Sequence, residues 1–141
     1  MAKKIIITAS LTGVLARREQ CPHIPYTPKE IALEGKRAVD AGASILHIHA
    51  RQEDGSPAYD IETYRQIGEE VRALCPTAII NYSTGAVGLS REERIHHIVA
   101  LKPDMAALNM GSMNYGIYSS KTKEFYHDFV FQNSFTDIRF Y

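Results

Sequence analysis

Cysteine is nearly absent from this sequence. Only Cys21 and Cys75 occur, far apart and without CxxC spacing, which excludes a disulfide framework and a thiolate metal motif. Both read as free thiols. A preponderance of one charge sign is missing too: lysine plus arginine and aspartate plus glutamate number 16 each. No net field therefore draws the chain toward nucleic acid or an anionic membrane. Long hydrophobic runs are also lacking. Lys3-Lys4-Ile5-Ile6-Ile7 begins as one, but Thr8, Ser10 and Thr12 break it well short of a signal or membrane-spanning length. The segment reads as a first strand in a cytoplasmic protein. No linker, charge block or low-complexity stretch divides residues 1–141, so they read as one continuous unit.

What the chain does have is alternation. Apolar, β-branched runs at 4–10, 44–50, 77–83 and 105–111, with 129–133 as a fifth, predict strands, and helical patterns lie between them. Thr27-Pro28-Lys29-Glu30 combines an N-cap threonine, proline at the first helical position and the glutamate of a capping box. Asp60 caps a second helix with Ile61, Tyr64, Ile67, Val71 and Leu74 on one stripe, and Ser90-Arg91-Glu92-Glu93 opens a third. Strands alternating with helices predict βα units and a parallel sheet. Ligands in such folds bind outside the carboxyl ends of the strands. There the chain places polar, glycine-containing loops: 11–13, 51–55, 84–88 and 112–116.

At the end of the second strand stand His47-Ile48-His49. Residues i and i+2 of a strand share a face, so both imidazoles point one way. Two convergent imidazoles make half of a tetrahedral zinc site, and equally a hydrogen-bonded core pair; spacing alone leaves both open. The same parity pairs Asn81 with Ser83 on strand three and Ala107 with Asn109 on strand four. His96 and His97 are adjacent on a helix and diverge by about 100°, so they read as solvent-exposed.

Five ordered segments carry a family resemblance: Ile7–Gly13, Ile24–Glu30, Ala41–Arg51 with its His47-Ile48-His49, Asn81-Tyr82-Ser83-Thr84-Gly85, and Pro103–Ser112. Together they resemble the β-keto acid cleavage enzymes, typified by the enzyme that cleaves 3-keto-5-aminohexanoate. The resemblance implies a (β/α)8 TIM barrel, of which this chain would be the N-terminal half, about four to five βα units. It implies a divalent metal, zinc, held by His47 and His49, and acetyl-CoA as co-substrate. The implied reaction converts a β-keto acid and acetyl-CoA into acetoacetate and a new acyl-CoA. Ser83, Gly85, Ala86, Ser112 and Asn114 fall on the family's substrate site, Ala86 where the typical member has glycine. Small molecules are thus the expected partners, with no nucleic acid and no membrane.

The chain also departs from the family pattern. The resemblance implies a third metal ligand, a glutamate, together with an arginine and an aspartate late in the barrel, none of which has a counterpart here. No catalytic acid or base is assigned within these residues, and the isolated chain is expected to be inactive or nearly so. Leu15 replaces a glutamate that recognises the amino group of the typical substrate, which implies a less polar substrate side chain. A barrel needs about 200 to 250 residues, so a homo-oligomeric or complementing half-barrel partner is expected. Two other readings stay open: a metal-dependent TIM-barrel hydrolase, and a non-catalytic half-barrel relic or subunit.

Overall fold

A computed structural model describes residues 3–141, leaving aside the side chains of His127 and Asp128. The described residues form two compact units, residues 3–84 with 96–107 and residues 85–95 with 108–141.

The first unit is a parallel sheet in the order β1-β2-β3-β4. Its strands are β1 (Thr8–Ser10), β2 (Ile45–Ile48), β3 (Ile79–Tyr82) and β4 (Met105–Ala106). Helices α1 (Pro28–Asp40) and α2 (Ile61–Leu74) supply the crossovers, and α3 (Arg91–Leu101) precedes β4. The register sets Ser10 beside His47 and His47 beside Asn81. The capping signals act as their chemistry dictates. Thr27 accepts from the Glu30 amide while Glu30 reaches back to the Thr27 amide, and those backbone bonds hold the Glu30 carboxyl below its ordinary pKa. Asp60 accepts from the Thr63 amide at 2.8 Å and starts α2.

Alternation decides which strand face meets the helices. Leu46, Ile48, Ile80 and Tyr82 are buried and pack with Ile31, Tyr64, Ile67 and Val71 in a single core. The residues between them, His47, His49 and Asn81, are half-buried on the opposite face. An apolar core on one face thus leaves a polar cluster on the other. Asp104 fixes the start of β3, accepting from the Ile80 amide at 2.8 Å and from Arg72 at 2.6 Å.

The second unit differs from the sequence expectation. In place of a fifth parallel strand at 129–133, β5 (Met113–Ser119) and β6 (Glu124–Phe131) pair antiparallel, and α4 (Phe135–Phe140) follows. A short connection explains this. The few residues between Ser119 and Glu124 permit a hairpin, whereas a parallel pairing needs a crossover of a dozen residues or more. The segment 112–116, read as a loop, accordingly enters β5 at Met113. Among the described residues, no helix is long and apolar enough to cross a membrane.

Candidate functional site

Strand β2 delivers both histidines to one point. The Nε2 atoms of His47 and His49 lie 3.2 Å apart, with the rings nearly perpendicular at 83°. His47 turns Nδ1 toward Asn81 Oδ1 at 3.4 Å. An amide oxygen only accepts, so this contact puts the proton on Nδ1 and leaves the Nε2 lone pair bare. Burial, with smaller contributions from the charges of His47 and Arg51, pushes the pKa of His49 down to about 4. It is therefore a neutral imidazole at pH 7, the form that binds metal.

Zinc sets a definite spacing between its ligand atoms. Tetrahedral coordination at about 2.0–2.1 Å places two ligand nitrogens roughly 3.3 Å apart, close to the observed 3.2 Å. The residues present fit two positions of a zinc shell. A ring-to-ring N–H···N bond also suits that distance when the metal is absent. Among the described residues, no group of three or more histidine, cysteine, aspartate or glutamate side chains is placed to hold an ion.

Immediately after the pair, Arg51 is buried and donates to three backbone carbonyls: Gly13 at 2.5 Å, Gly55 at 2.6 Å and Ala16 at 3.0 Å. It thereby ties the loop after β1 to the loop after β2, and burial lowers its pKa. Between the two gripped carbonyls Leu15 is exposed. Gly55 sits at φ +82° against Tyr26, where a Cβ would come within 2.5 Å of the ring. Only glycine fits there without displacing that ring.

Ser83 follows β3 and is buried, its amide donating to the Ile48 carbonyl at 3.0 Å. Thr84 Oγ1 donates to the Ala107 carbonyl at 2.8 Å. Ser83 thus shares the first unit with the histidines, while Gly85, Ala86, Ser112 and Asn114 belong to the second. There Ala86 is buried, Ser112 Oγ accepts from the Asn133 amide at 3.0 Å, and Asn114 pairs with Val130 in the hairpin. A cavity of about 320 Å³ in that unit is lined by Ala86, Ser90, Arg91, Arg94 and Asp137, among others.

Two residues went unassigned or misread in the sequence. Asn81 was legible only as a parity partner of Ser83, and its contact with His47 is the finding. His97 is a correction: only 2% of its surface is exposed. Arg94, His97 and Leu101 recur at helical spacing and turn inward or partly so, whereas Val99 is exposed. Two polar side chains on that stripe hid it from a pattern reading. The free cysteines are as expected, Cys21 exposed and Cys75 buried.

A parallel β1-β2-β3-β4 sheet with intervening helices and a polar cluster on the face away from its core defines a partial α/β barrel of the TIM type. The chain belongs to the beta-keto acid cleavage enzyme family, whose profile matches residues 4–141. It is 44% identical over 115 residues to the 3-keto-5-aminohexanoate cleavage enzyme of Acetoanaerobium sticklandii, covering 81% of this chain and 42% of that one. It is 34% identical to the 3,5-dioxohexanoate:acetyl-CoA acetone transferase of Paraburkholderia graminis, covering 98% of this chain and 49% of the relative. The chain therefore spans less than half the length of these curated relatives. Among solved structures, the ternary complex of ObcA with C4-CoA adduct and oxalate is similar in fold, with a TM-score of 0.59 at 21% identity, over 84% of this chain and 28% of that one.

Proposed function

We propose that this chain is the histidine-bearing part of an acetyl-CoA-dependent β-keto acid cleavage enzyme, read as one unit, the N-terminal part of the barrel. The observation that carries the reading is the pair of Nε2 atoms 3.2 Å apart, beside Asn81, in a chain matched by the family profile. The reaction is acyl exchange: a β-keto acid and acetyl-CoA give acetoacetate and a new acyl-CoA. His47 and His49 hold zinc, and Asn81 fixes the tautomer and tilt of His47. The chemistry zinc supplies when bound is Lewis-acid stabilisation of the negative charge that develops on a keto oxygen as the neighbouring carbon–carbon bond breaks.

The chain's own groups do the positioning. Ser83, Ser112 and Asn114 offer hydroxyl and amide donors for the substrate carboxylate and enolate oxygen, and the Gly85-Ala86 backbone offers N–H groups. Removing one such preorganised donor typically costs about 10² to 10³ in rate. Leu15 presents an apolar surface, which supports a β-keto acid whose side chain lacks the amino group of 3-keto-5-aminohexanoate. The likeness to acetyl-CoA transferases of keto acids supports small-molecule partners. The remaining part of the barrel completes the site, and the protein works in the cytoplasm.

The test is turnover of a panel of β-keto acids with acetyl-CoA. It is run on the 141-residue chain alone and on the chain complemented with the C-terminal part of the Acetoanaerobium relative. The expected result is little or no turnover alone and acyl-CoA formation after complementation. Turnover that ignores acetyl-CoA, or complemented protein that forms no acyl-CoA, contradicts the proposal.

A further inference from the structure

Behind the candidate site, two buried rings stack face to face. Tyr64 of α2 and His97 of α3 have centroids 4.0 Å apart and planes 19° from parallel, and each is only 2% exposed. The imidazole aims a polar atom at the end of β3. His97 Nε2 lies 3.0 Å from the Ser83 carbonyl. A carbonyl only accepts, so Nε2 carries the proton. Tyr64 itself packs in the core with Ile48 and Ala50, the residues on either side of His49. Tyr82 donates to the Tyr64 carbonyl at 2.8 Å and holds α2 against β3.

An imidazole is a poor choice for filling this space. Among the described residues its buried Nδ1 has no hydrogen-bond partner, a cost that phenylalanine would not incur. What imidazole supplies and phenylalanine does not is the Nε2–H donated to Ser83. The Ser83 peptide is then held at both ends: its amide donates to the carbonyl of Ile48, between the two candidate metal ligands, and its carbonyl accepts from His97.

We infer that His97 is a positioning residue: stacked on Tyr64, it clamps the Ser83 peptide against the strand end that carries His47 and His49. That the clamped peptide serves catalysis rests on the function proposed above; the clamp itself does not.

The experiment is amide hydrogen exchange on metal-free protein, with His97→Phe keeping a ring on Tyr64 and His97→Gln keeping a donor. The Ser83 amide is expected to exchange roughly tenfold faster in His97→Phe, the size of one lost hydrogen bond, and to return toward the parent rate in His97→Gln. The control is the Ile79 amide, which donates to Ser44 at the far end of the same strand pair and is expected to keep its protection. Long-range ¹H–¹⁵N spectra of the unmodified protein are expected to show the Nε2–H tautomer of His97. An Nδ1–H tautomer, unchanged Ser83 protection in His97→Phe, or equal loss at Ser83 and Ile79 in both variants overturns the clamp. In the complemented enzyme, kcat is expected to fall about tenfold in His97→Phe and recover in His97→Gln. A complemented parent without turnover contradicts the proposed function and leaves the exchange result to decide the clamp.

Discussion

His97 is a titratable group buried among aromatic rings, and its protonation connects pH to folding. Burial, partly opposed by the Ser83 carbonyl and reinforced by His96, lowers its pKa from 6.5 to about 4. Between those values the unfolded chain binds a proton that the folded chain does not. The stability His97 contributes is therefore complete above pH 6.5 and is lost as pH falls toward 4, at up to about 1.4 kcal/mol per pH unit. Tyr64 and Tyr82, whose rings also lie against it, are phenols whose pKa values burial raises, so they stay neutral throughout. Urea unfolding of parent and His97→Phe at pH 7.5 and pH 5 checks this. The parent is expected to lose more stability on acidification than the variant, and equal losses contradict the assignment. This residue was also the least legible in the sequence. Adjacent histidines in a helix carry no apolar signal, and only the inward turn of α3 separates His97 from its neighbour.

At the scale of elements, capping chemistry and strand alternation made most of the first unit readable. Thr27 with Glu30 and Asp60 with Thr63 start their helices where the residue types require, because caps are local. Parity paired Asn81 only with Ser83; the register between β2 and β3, which sequence does not encode locally, is what sets Asn81 beside His47. The hairpin was missed because Phe129–Asn133 has the composition of a strand in either direction, and direction is a property of the connection. The loop after β2 depends on one position above others. Gly55→Ala forces a side chain into Tyr26 at positive φ and is expected to cost about 1–3 kcal/mol. It also disturbs the carbonyl that Arg51 grips. Thermal unfolding reads the loss as a fall in Tm of several degrees, and an unchanged Tm contradicts the packing described for this loop.

For the whole molecule, the central claim is that residues from this chain supply two imidazoles to a zinc site. The distance between them, the neutral state of His49 and the Asn81 contact support that claim at the level of chemistry, and family membership supports it at the level of fold. A two-histidine set holds zinc weakly alone, so the decisive preparation is the chain complemented with the C-terminal part of a relative. The measurement is zinc content after dialysis, for the parent, His47→Ala, His49→Ala and Asn81→Ala. The account predicts near-stoichiometric zinc in the parent and its loss in both histidine variants. For Asn81→Ala it predicts affinity lower by about 10- to 100-fold, as for other groups that orient a ligand. Stoichiometric zinc retained in both histidine variants would show that His47 and His49 are a hydrogen-bonded pair and that the metal is held elsewhere.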